Sequence, residues 1–317
     1  RGAIAKIHYE KEASSTDIGI ETVQPWKYVP DTAETRLADL RIGTANWIIG
    51  RRLQKLAKKE GAPFMRGASY EMGFLDFVRF EANADTLNAY QEAAEGSETR
   101  LSRDLADGLV DQVAGQTVAT SPTQDLEWIR GALGKVTSEN CLGEFRKLWS
   151  NTEDVQIFVG GNLRLADGED KIVEAFKKSR AVKVEAPEEV EQKAFAYTDF
   201  GEPGKVVETK VHEDLGVTQM KFANHVRLNL KPTDFEKGTI LISMRIGSGE
   251  LSAPKDKPGL SMVASSTFTA GGLVEHTSDE LQQIFAGKSV GTSFGVDEDA
   301  FVLAGRTNSD DLLLQCQ

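Results

Sequence analysis

The alternation of apolar and polar residues gives the first elements. Residues 3–9 and 17–23 read as strands; in the second, Ile18 and Ile20 alternate with Gly19 and Glu21, as in a half-buried strand. Pro25 and Pro30 then break the chain. Asp31, with Glu34 three residues on, resembles a capping box and predicts a long helix start. Its stripe is Leu37, Leu40, Ile48, Leu53 and Leu56, and Gly61-Ala62-Pro63 stops it. Met65 and the aromatics after it read either as a ligand pocket or, more simply, as another strand over 69–82.

From Thr99 the period becomes helical, with Leu101, Leu105, Leu109 and Val113 four apart. Ser121-Pro122 with Gln124 forms a capping box with proline at the first helical position. That helix carries Leu126, Ile129 and Leu133, and a further one runs through Leu142, Phe145 and Leu148 to Trp149. Val155-Gln156-Ile157-Phe158-Val159 is a short buried strand ending at Gly160-Gly161, after which Asp167 caps a helix bearing Ile172, Val173 and Phe176. Residues 181–204, with Glu185, Glu188, Glu189 and Glu191 around Pro187 and then Gly201-Glu202-Pro203-Gly204, read as a solvated linker or hinge. Beyond it, Val226, Leu228 and Leu230, the turn at Pro232-Thr233-Asp234, and Ile240, Ile242, Met244 and Ile246 predict a hairpin. Helices follow Pro258-Gly259 and span 278–286. A strand through Phe294 and Val296, a second over 300–304 and a final helix complete the pattern. The expected fold is α+β: two related domains, 1–180 and 205–317, each a mostly antiparallel sheet against helices, the second incomplete. With no initiator Met at Arg1 and an apolar helix running into Gln317, both ends read as interior to a longer protein.

Charge narrows the partners. With 37 Lys+Arg against 49 Asp+Glu, the net charge of −12 argues against nucleic acid and against an anionic membrane surface. No apolar run approaches the ~20 residues of a spanning helix, so no membrane insertion is expected. Cys141 and Cys316 make neither a disulfide framework nor a metal-ligand spacing.

Candidate chemistry is sparse. His8, His212, His225 and His276 are scattered, with no pair at i, i+4. Glu275-His276 matches the last two positions of an H-x-x-E-H zinc motif, in which two imidazoles on one helix face hold the metal and the glutamate is general base. Gly272 stands where the first His is needed, and Thr277 with Glu280 reads as the capping box of a following helix. There is no G-x-S-x-G elbow, Gly247-Ser248-Gly249 reads as a turn, and neither Gly160-Gly161 nor Gly271-Gly272 continues into a phosphate-cradling spacing.

A more specific signal lies in the run Phe222-Ala223-Asn224-His225-Val226-Arg227-Leu228-Asn229-Leu230-Lys231-Pro232-Thr233. It resembles the x-NG-x-R-V-x-L-x-P opening strand of pitrilysin/insulinase-family metallopeptidase domains. Ile246-Gly247-Ser248-Gly249 fits the family's strand ending in a small-residue turn, and Pro258-Gly259-Leu260 its P-G-L before the zinc helix. Asp279-Glu280-Leu281, Val290-Gly291-Thr292-Ser293-Phe294, Gly305-Arg306-Thr307 and Asp310-Asp311-Leu312 fit the third domain of long, four-domain bacterial members. Ser121-Pro122 to Trp149 and the strand at Val155 resemble the second domain. Between Ala84 and Thr99 the chain is shorter than the helical segment expected there.

What the resemblance implies is defined by departures from it. Where an active first domain reads A-H-x-x-E-H after P-G-L, Met262, Ser265 and Ser266 stand in place of His, Glu and His, so Met262 is expected in the core. The fourth-domain pattern R-x-x-E-x-x-x-Y becomes Ala57, Glu60 and Phe64. The resemblance therefore implies a non-catalytic second and third domain of a zinc endopeptidase, inactive as it stands. Zinc would be held elsewhere in the parent, a peptide or unfolded polypeptide would be the substrate, and the remaining domains of the same polypeptide would be partners. A periplasmic or exported parent is suggested by the family, with a cytoplasmic one also open. The alternative is an inactive paralogue serving as a peptide-binding or assembly subunit; a third reading is a generic acidic interaction module.

Overall fold

The computed structural model describes residues 2–23, 28–71, 86–150, 155–184 and 193–317. Most of the strand reading at 69–82, and Glu185 to Glu191 of the linker reading, lie outside these residues; Ser69 to Glu71 are not strand. Contacts divide the chain into two units, one of residues 1–83, 108–119 and 131–190, the other of 84–107, 120–130 and 191–317. The architecture is α+β: among the described residues, three small, mostly antiparallel sheets accompany nine α-helices.

In the first unit, β1 (Ile4–Tyr9), β2 (Thr16–Thr22) and β3 (Val155–Gly161) form a sheet in the order β1-β3-β2. The strand from the far end of the unit sits in the middle, parallel to β1 and antiparallel to β2. The alternation in β3 explains this: Val155, Ile157 and Val159 are buried, while Phe158 is half exposed. Ala5, Val155 and Ile157 meet Ile172, Val173 and Phe176 of the helix Gly168–Arg180. Burying Val155 and Ile157 stabilises this layer by about 2 kcal/mol each.

The long helix α1 (Ala33–Ala57) begins one residue later than the sequence suggests. Thr32, not Asp31, is the cap, and the reciprocal box is Thr32 with Thr35. Asp31 is occupied elsewhere. It accepts a bidentate contact from Arg36, 2.6 Å from Nε, and the Val118 amide at 2.7 Å, while Arg36 Nη2 donates to the Val118 carbonyl at 2.9 Å. The helices that follow are α2 (Thr86–Glu95), α3 (Ser102–Ala114), α4 (Pro122–Leu133), α5 (Ser138–Leu148) and α6 (Gly168–Arg180). The Ser121/Gln124 box forms as read. Asp167 does occupy the cap position of α6, but at φ +54 and without a capping hydrogen bond.

The second unit corrects one expectation. The strand β6 (Arg227–Leu230) does not form a hairpin with β7 (Ile240–Ile246). It pairs with β5 (Val217–Phe222), which pairs in turn with β4 (Val206–His212), whereas β7 joins the sheet β7-β9-β8. Loop closure gives the reason. β5 and β6 are joined by a turn over 223–226, whereas 231–239 separate β6 from β7 and include Pro232, which has no amide to donate. The second predicted hairpin forms: β8 (Thr292–Val296) and β9 (Phe301–Thr307) are antiparallel neighbours. The unit also holds α7 (Leu260–Thr267), α8 (Ser278–Ile284) and α9 (Leu312–Cys316).

The β5–β6 turn keeps Asn224 of the Asn-Gly pattern noted above and departs from it at the next residue. His225 takes the glycine position at φ +69, a left-handed conformation that disfavours a Cβ. Replacing His225 with Gly is expected to stabilise the chain by about 0.5–1 kcal/mol, because relief of this strain exceeds the added unfolded-state entropy. Thermal unfolding checks it, and a lowered midpoint would show that the imidazole contributes more than its backbone costs.

Candidate functional site

The P-G-L signature builds a real local device. Gly259, at φ +85, turns the chain directly into α7. Met262, Ser265 and Ser266 then fall at i, i+3 and i+4, the spacing that places three side chains on one helical face. The helix is fixed through the residue that caps its C-terminus: the Phe268 ring stacks on Phe294 with centroids 4.1 Å apart, and Phe294 stacks on Phe301. Met262 is not in the core, as the sequence suggested, but 76% exposed, and Leu260 and Val263 beside it are also exposed. A single aromatic stack at the end of an eight-residue helix leaves its first turn without cover.

This face does not fit zinc. Zinc takes imidazole, thiolate or carboxylate, and catalytic sites use three protein ligands. A thioether and two hydroxyls supply none, and the Ser266 hydroxyl is turned back to donate to the Val263 carbonyl at 2.9 Å. Among the described residues, no group of three or more His, Cys, Asp or Glu is placed to hold a metal.

The Glu275-His276 dyad is likewise built for another purpose. Gly272 is held at φ +72, and a Cβ there would lie 2.5 Å from the His276 carbonyl oxygen and 2.7 Å from the Ser278 nitrogen. No histidine fits at that position, and 272–276 is not helical. The Thr277/Glu280 capping box forms as expected. His276 is buried, with Nε2 accepting the Ala196 amide at 2.9 Å. Sequence reasoning missed this contact because charge dominates the composition around it; the pair Phe195 and Tyr197, two apart in a charged run, was the available signal.

The positions aligned with the fourth-domain Arg and Tyr are not brought together on one helix. Ala57 is the last residue of α1, and Phe64 follows the break at Gly61 and Pro63. Burial pushes the Cys141 thiol up, which keeps it protonated and inert. Gly247-Ser248-Gly249 is a turn, and Gly249 is obligatory because a Cβ would lie 2.1 Å from the Asp297 carbonyl oxygen. The depression lined by Glu250, Val296, Asp297, Glu298 and Asp299 is acidic, with Arg245 bridging Asp297 at 2.7 Å and Asp299 at 2.6 Å. No described helix is long and apolar enough to cross a membrane.

No protein-family model matches the chain, and no curated protein sequence does. Several solved structures are similar to it, among them two proteases. One is the periplasmic protease PqqL from Escherichia coli, at 16% identity and a TM-score of 0.49, over 98% of this chain and 38% of that one. The other is the ferredoxin protease FusC, a mutant in complex with Arabidopsis ferredoxin, at 14% identity and a TM-score of 0.45, over 98% of this chain and 39% of that one. The chain therefore spans less than two-fifths of the length of either protein.

Proposed function

We propose that this chain is a non-catalytic, substrate-enclosing portion of a zinc-dependent endopeptidase of the pitrilysin/insulinase family. In this reading 1–180 and 205–317 correspond to its second and third domains, with 181–204 connecting them. One observation carries the proposal. Pro258-Gly259-Leu260 launches a helix where the family pattern places its zinc helix, and the ligand positions on that helix are Met262, Ser265 and Ser266. The frame of the motif is present without its chemistry. The resemblance of the surrounding strands and turns, from Phe222 to Leu312, supports the same assignment.

Function then divides between this chain and the rest of the parent. A metal-bound water is the nucleophile in such chemistry, so loss of the metal removes the reaction and does not merely weaken binding. This chain contributes surface and orientation for an extended or unfolded peptide, and the zinc ligands lie in another domain of the same polypeptide.

The test compares the parent with the fragment. The full-length protein is expected to hydrolyse short unstructured peptides and to lose this on chelation, while the present chain shows no hydrolysis. Installing Met262→His, Ser265→Glu and Ser266→His together should not create activity, because one helix supplies two imidazoles and a third protein ligand is still needed. Chelator-sensitive hydrolysis by the chain alone would overturn the reading. A zinc-free, inactive parent that still binds peptides would instead establish a binding or assembly subunit.

A further inference from the structure

We propose that residues 193–197 form a latch closed on α8 by the neutral imidazole of His276, and that protonating this ring opens it. The inference rests on geometry within the second unit and is independent of the proposed function. The irregular segment Lys193 to Tyr197 lies in the stretch that composition marks as a solvated tether, yet it is held at four points. Lys193 Nζ meets Glu280 at 2.6 Å. The Phe195 ring stacks on His276, centroids 5.6 Å apart and 14° from parallel, and also contacts Phe285 at 5.4 Å. The Ala196 amide donates to His276 Nε2 at 2.9 Å, and the Glu275 amide donates to the Tyr197 hydroxyl oxygen at 2.9 Å.

The hydrogen bond fixes the state of the ring. An N–H can donate to Nε2 only if that nitrogen is unprotonated, so the proton of the neutral imidazole is assigned to Nδ1. His276 is 3% exposed, and its Nδ1 is buried with no partner among the described residues. A second proton would set an N–H directly against the Ala196 N–H, and the Nδ1–H would still have no acceptor to share the charge. Losing the central bond while burying an unpaired charge is the kind of conflict that local opening resolves.

The neighbouring groups do not offer a competing switch. The rings that face His276 are both from the latch, Phe195 and the edge of Tyr197, 6.0 Å away by centroids; Phe285, the residue after α8, meets Phe195 on its other contact. Glu275 is exposed, and on α8 Asp279 and Glu280 carry the charge. The hydrogen bond from Lys193, followed by that from the Thr277 amide, lowers the Glu280 carboxyl to about 2. A carboxyl held that low keeps Glu280 charged, and its contact with Lys193 intact, through mildly acidic conditions.

The experiment uses the whole chain, isotopically labelled. His276 protonation is read from its ring resonances, and latch opening from hydrogen exchange at the Ala196 amide and chymotryptic cleavage after Tyr197. Exchange relative to the intrinsic amide rate, and cleavage relative to an unstructured reference peptide, are expected to rise at least tenfold once the ring resonances report a charged His276. His276→Phe, which keeps the ring and loses the acceptor, should be open at every pH. Ala196→Pro approaches from the other side, removing the donor while leaving His276 in place, and should make cleavage after Tyr197 independent of pH. An Ala196 amide equally protected against neutral and charged His276, or pH-dependent cleavage retained in Ala196→Pro, would overturn the latch.

Discussion

Asp31→Ala is expected to destabilise the first unit by about 3 kcal/mol, among the largest single effects available in the chain. The side chains of Asp31 and Arg36 are each only 10% exposed, so removing Asp31 takes the opposite charge and a bidentate acceptor from a buried guanidinium. The Val118 amide also loses its acceptor. The pH dependence has a definite sign. The Arg36 hydrogen bond, opposed by burial and reinforced by the Val118 amide, holds the Asp31 carboxyl below the usual carboxylate value. A group with a depressed folded pKa contributes stability that is fully present above its unfolded value and is lost as pH falls toward the folded one. The gap between the parent chain and Asp31→Ala should therefore be constant near neutrality and shrink below about pH 4. Denaturant unfolding across pH measures both; a gap that stays constant through acid pH would mean that Asp31 acts by packing rather than by charge.

Gly272→His is the second large effect, because it completes the H-x-x-E-H spelling with Glu275 and His276. Spelling alone predicts a zinc site. The fold predicts loss of structure, since any Cβ at 272 meets three backbone atoms within 2.9 Å at a φ that L-residues avoid. Strain and overpacking together should cost about 3 kcal/mol or more in the second unit. The same collision falls on the His276 carbonyl, so the contacts that hold Phe195 and Ala196 loosen with it. Zinc titration followed by circular dichroism distinguishes the two expectations: a folded variant taking up one zinc through His276 would refute the structural one.

These two sites show where sequence reading succeeds and where it stops. Capping at Ser121/Gln124 and Thr277/Glu280 was legible because a capping box is a contact across three residues and needs no tertiary partner. At α1 the same reasoning chose Asp31 with Glu34. The fold chose Thr32 with Thr35, because Asp31 is drawn to Arg36 and to Val118, 87 residues away. Alternation correctly marked β6 and β7 as strands but could not pair them, since period two reports which face is buried and not which neighbour supplies the hydrogen bonds. At α3 the helical period was right, yet Leu101, Leu105, Leu109 and Val113 remain exposed.

The sequence by itself determined the α+β character, the positions of most strands and helices, and the presence of a thioether and two hydroxyls, not metal-binding side chains, at Met262, Ser265 and Ser266. All are properties of residue type and local spacing. Only the tertiary structure decided that β3 is the central strand between β1 and β2, that Asp31 is a buried ion-pair partner, and that His276 serves as a hydrogen-bond acceptor. It also decided that Phe195 and Tyr197 are anchors within a charged stretch. Each of these depends on a partner far along the chain, and the free energy of meeting that partner is written in no local pattern.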